Sequence, residues 1–272
     1  MRPRRYSIEG RVISCHPERK RRICVFYKFM SIEKERMSQK IFMPKWVRHE
    51  HMARFEFVCG LVKDKAVIDC ACGTGVGSKM FADAGAKQVL AYDLSADDVL
   101  TAQKKNRLSN LVYVMADATD LPCAAQSAEV YVSLETIEHL ADDAKFLSEV
   151  KRVLKSGGTF ICSTPNRTVT NPGAGLSDKP FNKFHTREYS AGEFENLLKK
   201  YFSTVEMYGQ NSRRRWRVGL SNLVAKIFGR RAAVLFNQIL KLPRLVFDIV
   251  GGHRVRPAQA NREYEYLTAV CK

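Results

Sequence analysis

The sequence predicts an α/β fold: a parallel sheet covered by helices, with a helical insertion before its last strand. Three observations carry this expectation. Short apolar runs alternate with amphipathic runs through the middle of the chain. The first apolar run ends in a glycine-rich turn, and an acidic residue stands at or near the end of each of the first three. Strands that alternate with helices must be joined by crossovers, which makes the sheet parallel and covers both of its faces.

The elements follow in order. Ala66 to Cys70 is a short apolar strand, and Val76 to Ala84 a helix behind its glycine turn. Gln88 to Asp93 is a second strand and Ala96 to Arg107 a second helix, with Ser95 placed to cap it. Leu111 to Met115 and Glu129 to Ser133 are the third and fourth strands. Asp142 to Leu154 puts Phe146, Leu147, Val150 and Leu154 on one helical face. Ser156-Gly157-Gly158 is expected to stop that helix, and Thr159 to Ser163 to form the fifth strand. Gly192 to Tyr201 is a further helix, and Thr204 to Tyr208 and Tyr264 to Val270 are strands. Between these two strands Leu220, Leu223, Val224, Ile227 and Phe228 fall at helical spacing, and Leu235, Ile239, Leu242, Leu245, Val246 and Ile249 continue the apolar pattern.

A chain of 272 residues, 45% of them apolar, is long enough for one sizeable core with an elaboration. The organisation expected is a basic, disordered extension over 1–40, a ligand-binding domain over 41–210, a basic helical insertion or lid over 211–262, and the final strand over 263–272. Met30 and Met37 are alternative starts to the ordinary sequence. The net charge of +17 is concentrated in the flanks: +8 over residues 1–40 and +10 over 211–272, against −1 between them. A basic flank suits nucleic acid, an anionic membrane surface or a phosphorylated substrate. The eight cysteines lack a paired C-x-x-C pattern, which argues against a disulfide framework or zinc site and for reduced thiols in a cytoplasmic protein. No apolar stretch is long and uninterrupted enough to span a membrane.

In a parallel α/β sheet, ligands bind beyond the carboxyl ends of the strands, where strand order reverses. Asp69-Cys70-Ala71-Cys72-Gly73-Thr74-Gly75 closes the first strand there, and its glycines let backbone approach a ligand. The helix that follows offers its N-terminal N–H groups. Asp93, 18 residues past Gly75, can accept from a ribose diol, and Asp117-Ala118 follows the third strand. Each feature alone is weak, since a glycine pair is often only a tight turn and a strand-end acid only a cap.

Together with Glu135-Thr-Ile-Glu138-His139 and Ser163-Thr-Pro-Asn166, these motifs resemble the class I S-adenosylmethionine-dependent methyltransferases. The likeness is greatest to the branch that includes quinone-biosynthesis O-methyltransferases and enzymes of surface-sugar and natural-product pathways. It covers about residues 41–210 and the last strand. It implies a Rossmann-like sheet of seven strands, the last antiparallel, and S-adenosyl-L-methionine as cofactor. It further implies that Gly73 and Gly75 lie along the methionine part, that Asp93 holds the ribose, and that Asp117 and Ala118 hold the adenine. Arg54, Asp69, Cys70, Ala71, Leu94 and Glu135 complete the expected cofactor set, Arg54 as a partner for the methionine carboxylate. The branch often has His-x-x-Arg-Tyr before the first strand; this chain has His51-Met-Ala-Arg54-Phe55, so any tyrosine hydroxyl is lost. The rival reading is a nicotinamide-binding domain, but Gly73-Thr-Gly75-Val-Gly77 brings the third glycine one place early.

Methyl transfer from a sulfonium is an in-line displacement, and a hydroxyl acceptor must lose its proton as it attacks. His139 and His185 are the candidate bases. On a helix, Glu135, Glu138 and His139 would share a face and could bind a divalent ion, as some quinone O-methyltransferases of the resembling branch do near this element; alternatively Glu138 and His139 brace the turn, and no metal is assigned. His185 opens His185-Thr-Arg187-Glu-Tyr189, similar to segments beside the acceptor pocket of the sugar and natural-product branch. Arg187 there either pairs an acidic substrate group or lies at a helix start. The expected acceptor is a small or lipid-linked molecule, a sugar or a phenol or quinone precursor, taken up in the cytoplasm with peripheral contact to the inner membrane face left open by the basic insertion. No aromatic-interleaved basic stripe accompanies the charge, so nucleic acid is the weaker partner and an RNA methyltransferase the weaker enzyme. A non-enzyme alternative is a membrane- or RNA-associated binding protein that keeps the cofactor fold.

Overall fold

The structure, a computed structural model, describes residues 7–8, 11–12, 45–237 and 254–272. Apart from a two-residue antiparallel pair, Ser7–Ile8 with Arg11–Val12, the expected extension over 1–40 lies outside these residues. So do the alternative starts Met30 and Met37 and the apolar positions from Ile239 to Ile249.

Helix α1 (Lys45–Cys59) precedes the sheet. The core of the fold then runs β1 (Ala66–Cys70), α2 (Val76–Asp83), β2 (Gln88–Asp93), α3 (Ala96–Lys105), β3 (Leu111–Met115), β4 (Ala128–Leu134), α4 (Asp143–Val153), β5 (Leu154–Pro165), α5 (Ala191–Lys199), β6 (Val205–Arg214), α6 (Arg215–Phe228) and β7 (Arg262–Cys271). The strand order is β3-β2-β1-β4-β5-β7-β6, and the two-residue strand Arg256–Pro257 pairs on the β6 edge. β1 to β5 are parallel; β7 is antiparallel to both β5 and β6. This is the expected seven-stranded sheet with an added two-residue edge. Order reverses between β1 and β4, so a ligand crevice lies at their carboxyl ends.

Both faces of the sheet are dry, which explains why β1 reads as a continuous apolar run rather than an alternating one. On one face Val67, Val89 and Val132 pack with Val58 of α1, Phe81 of α2 and Ala102 of α3. On the other, Ile68, Tyr131 and Phe160 pack with Phe146, Leu147 and Val150 of α4 and Phe194 and Leu198 of α5. Three sequence expectations shift. Ser156-Gly157-Gly158 lies inside β5 rather than before it; the β4–β5 register slips between Ala128 and Val130, and Gly157 takes φ +72°, so the glycines serve a bulge. α3 stops at Lys105 because Asn106 turns its amide to the oxygens of Thr74, Gly75 and Tyr113. β6 runs on to Arg214, so the boundary expected at residue 210 falls within a strand; its polar tail is recruited by pairing with β7 from Val205↔Cys271 to Arg214↔Arg262.

Candidate functional site

The turn after β1 is built from residues that ordinary side chains disfavour. Ala71, Gly73 and Gly75 all have positive φ, at 62°, 54° and 79°. Two of the three are glycine for different reasons. A Cβ on Gly75 would overlap the Tyr113 ring, whose hydroxyl donates to the Gly75 oxygen at 3.0 Å. A Cβ on Gly73 would meet nothing within 4 Å, so that position opens onto free space beyond the strand ends. Gly75→Ala is therefore expected to lower stability by about 2 kcal/mol or more through strain and overlap. Gly73→Ala is expected to cost about 1 kcal/mol from backbone alone. It should, however, weaken ligand binding more than Gly75→Ala does. Thermal midpoints and binding constants of the two variants, measured together, check this; equal stability losses would contradict the packing argument.

Asp93 is oriented by two amide donors, Gly73 N to Oδ2 and Ser95 N to Oδ1, both at 2.8 Å. A carboxylate has about four lone-pair sites, so these donors fix its direction without exhausting it. Leu94, half exposed, follows it, and Asp117 is exposed beside half-buried Ala118 at the end of β3. Asp117 Oδ1 accepts from Thr119 N and Oγ1 at 2.8 and 2.9 Å, closing its own turn. Leu94, Asp117 and Ala118 thus follow the carboxyl ends of the adjacent strands β2 and β3, beside the turn that holds Gly73. Cys70 differs: its side chain lies in the core beneath the sheet, where burial pushes its thiol up to about 12, so only its backbone reaches the turn. All six described cysteines, Cys59, Cys70, Cys72, Cys123, Cys162 and Cys271, are free thiols.

Asp69 sits under the turn, taking a bond from Ser78 Oγ at 2.5 Å. Burial raises its carboxyl to about 7, with the nearby Asp93 charge acting in the same direction and the Ser78 bond opposing both. Because the folded value is the higher one, this group's contribution to stability is complete below the usual 3.8 and is lost as pH rises through about 7. Asp69→Asn stays neutral and keeps an acceptor for Ser78. It is expected to melt several degrees above the parent in mildly alkaline buffer, the gap narrowing steadily toward mildly acidic pH. A gap that does not change with pH would show that the carboxyl is ionised throughout.

Arg54 is fully buried, and its partners come from its own helix α1, the end of β4, β6 and β7. It donates to Gln210 Oε1 of β6 at 2.6 Å, meets His51 Nδ1 at 3.1 Å, lies 4.5 Å over the Tyr266 ring of β7, and stands 4.0 Å from Glu135 Oε1. Burial first, then the Arg54 charge, lower His51 to about 3, so His51 is neutral and accepts from Arg54. Glu135 closes β4 in the left-handed region, φ +52°, held by Ser163 Oγ at 2.6 Å. It links Arg54 to the strand ends where a methionine carboxylate would lie. Phe55, in the place of the family tyrosine, packs on Phe81 and would meet any Cβ on Gly77.

Glu135 does not share a face with Glu138 and His139. Ile137–His139 is a single 3-10 turn, and the left-handed bend at Glu135 breaks any helix before it. His185 takes Glu135's place: one ligand atom from each of Glu138, His139 and His185 lies within 4.8 Å of the others, a set able to hold a divalent ion. The 184–187 segment is tied to the turn by Thr186 N and Arg187 N, which donate to the Glu138 oxygen at 2.7 and 3.2 Å. His139 Nδ1 lies 3.1 Å from the Phe184 oxygen, which can only accept, so Nδ1 carries a proton and Nε2 is the second ring nitrogen. That Nε2 is 4.0 Å from Glu138 Oε1. Glu138 is buried, its Oε2 accepts from Thr164 at 3.0 Å, and its Oε1 has no hydrogen-bond partner. Burial and then the Glu135 charge hold its carboxyl well above the usual range. His185 Nδ1 lies 2.6 Å from Glu188 Oε1, and Asn182 Nδ2 meets its Nε2 at 2.9 Å. Burial alone would raise Glu188, but donors from His185, Thr170 and Asn171 reverse this and hold it low. Arg187 is spoken for by Asp143 at 2.7 Å, which also accepts from Tyr189, so it braces α4 rather than awaiting an acidic substrate.

Sequence reasoning missed Glu188, Tyr113, Gln210 and Tyr266. Glu188 had a signal, three residues after His185; the strand residues had none, since only the β6–β7 register sets Tyr266 opposite Gln210.

Comparison with known proteins agrees with this fold. The profile of the family described as "Methyltransferase domain" matches residues 68–162. A probable S-adenosylmethionine-dependent methyltransferase of Mycolicibacterium smegmatis is 36% identical over 161 residues, 59% of this chain and 60% of that protein. A ubiquinone biosynthesis O-methyltransferase of Cereibacter sphaeroides is 33% identical over 103 residues, 37% of this chain and 41% of that one. The chain thus spans less than two thirds of the length of these relatives. A Thermotoga maritima structure described as a possible histamine N-methyltransferase shares the fold, with a TM-score of 0.54 over 84% of this chain and 92% of that one at 16% identity. Residues 68–162, from β1 to β5, thus match the methyltransferase domain family, and the curated relatives similar to the chain include proteins described as probable S-adenosylmethionine-dependent methyltransferases.

Proposed function

We propose that the protein transfers a methyl group from S-adenosyl-L-methionine to a hydroxyl of a small or lipid-linked acceptor, such as a sugar or a phenol or quinone precursor. The observation that carries this is His139, which is oriented by its Nδ1 contact to the Phe184 oxygen and sets Nε2 4.0 Å from Glu138 Oε1, just past the end of β4. A hydroxyl is a poor nucleophile until its proton is taken, and an imidazole held in a fixed orientation is suited to take it. Similarity to the ubiquinone biosynthesis O-methyltransferase supports the same acceptor class.

The cofactor supplies an electrophilic methyl on a sulfonium. The chain does the rest. Gly73 and Asp93 hold the nucleoside end, Leu94, Asp117 and Ala118 flank the base, and Arg54 with Glu135 orients the amino-acid end. His139 would take the acceptor's proton at Nε2, and His185, braced by Glu188, packs edge-on against it at 4.8 Å. Release of S-adenosylhomocysteine with a panel of hydroxyl and amine acceptors tests this reading. Turnover is expected with hydroxyl acceptors; turnover with amines alone would overturn it.

The unpartnered Oε1 of Glu138 favours a second reading of the same cluster, in which Glu138, His139 and His185 hold a divalent ion that lowers the acceptor's pKa. Activity lost in chelator and restored by a divalent ion would select it over the free base.

A further inference from the structure

The helix α6 is turned inside out. It packs on the domain through Val218, Ser221 and Ala225, which are small and buried. Its large apolar side chains, Trp216, Leu220, Leu223, Ile227 and Phe228, are 40% to 72% exposed. At 3.6 residues per turn the first four lie within about 60° of one another, a stripe roughly 16 Å long. Arg217 lies on one flank of this stripe, and Arg215 and Lys226 on the other; all three are exposed. Elsewhere exposed apolar residues such as Leu61, Leu94 and Leu100 are scattered singly, which is ordinary for a surface. Five within one helix are not.

We propose that α6 is an interfacial helix that lays the Trp216–Ile227 stripe into the headgroup region of an anionic lipid bilayer. The charge pattern selects this occupant. An apolar stripe between two basic flanks matches acyl chains below and lipid phosphates beside. A second copy docked on the stripe would bring the two sets of basic flanks together. Single-stranded RNA would leave the apolar stripe without a role. The chain around α6 fits the same orientation, with a net charge of +10 over residues 211–272. α6 is also joined to the segment that leads to His185: Gly173 N donates to Asn222 Oδ1 at 3.0 Å, and Arg230, just past α6, lies over Phe181 at 4.9 Å and donates to the Lys179 oxygen. A bilayer contacted by α6 would therefore lie on the side of the domain where the acceptor segment emerges. The inference goes beyond methyl transfer and does not depend on it.

The test is co-sedimentation of the full chain with vesicles of phosphatidylcholine alone or mixed with phosphatidylglycerol, at low and high salt. Trp216 is one of two tryptophans, so a Trp46→Phe background makes its fluorescence a reporter. Binding to the anionic vesicles only, weakened by salt and accompanied by a blue shift of Trp216, is the expected result. The combined variant Leu220→Ser, Leu223→Ser, Ile227→Ser should lose binding while keeping its circular dichroism and its affinity for S-adenosyl-L-methionine. Arg215→Gln, Arg217→Gln, Lys226→Gln together should weaken binding on the order of 100-fold. No binding to anionic vesicles, equal binding to both kinds, or an unshifted Trp216 would overturn the proposal. So would a dimer seen by light scattering, or RNA binding, that the serine variant abolishes while vesicle binding is absent.

Discussion

Asp93→Ala is expected to abolish measurable binding of S-adenosyl-L-methionine in isothermal titration, where the parent binds it and does not bind NAD. The size of the effect follows from what the carboxylate does. A hydrogen bond to a charged group contributes about 1.5–3 kcal/mol, and a ribose diol would make two, so affinity should fall on the order of 100-fold or more. The same carboxylate also holds Gly73 N at 2.8 Å, so its loss additionally frees the turn proposed to hold the cofactor. Asp93→Asn, which retains one acceptor oxygen for a backbone donor, should recover part of the loss. Unchanged binding by the alanine variant would remove the ribose role and with it the assignment of the crevice.

His139→Ala should leave binding of S-adenosyl-L-methionine near that of the parent and lower kcat by roughly 100- to 1000-fold, the usual contribution of a positioned base. The side chain is 35% exposed, so its removal opens no core cavity and the thermal midpoint should hardly move. His185→Ala makes the contrast. That ring is largely buried against Glu188, and deleting it strips a donor from a buried carboxylate, so stability as well as rate should fall. A limb of the pH–rate profile present in the parent and absent from His139→Ala would identify the proton acceptor. If instead His139→Ala keeps full activity and His185→Ala loses it without melting earlier, the roles are reversed.

Much of this was legible from the amino acids alone. Residues of β1 to β5 announce themselves because a sheet buried on both faces demands uninterrupted apolar runs, and Val67, Ile68 and Val132 leave no other reading. The positions of Gly73, Asp93 and Asp117 in a turn and at strand ends were legible because backbone conformation and strand-end position restrict residue type locally. Ser95 and Asp142 capped the helices they were expected to cap or begin, for the same local reason.

What tertiary structure alone decided is the surroundings of Glu135, Glu138, His139 and Arg54. Whether Glu135 joins Glu138 and His139 depends on a left-handed bend that no spacing rule reveals, and a sequence pattern read as helical placed it with them. His185 replaces it because the chain returns from 46 residues away and is pinned to the Glu138 oxygen by backbone bonds. Arg54 finds Gln210 and Tyr266 only because β6 and β7 pair in one register. The residues that carry local backbone constraints are determined by the sequence itself; those whose roles are set by long-range pairing acquire them only when distant strands meet.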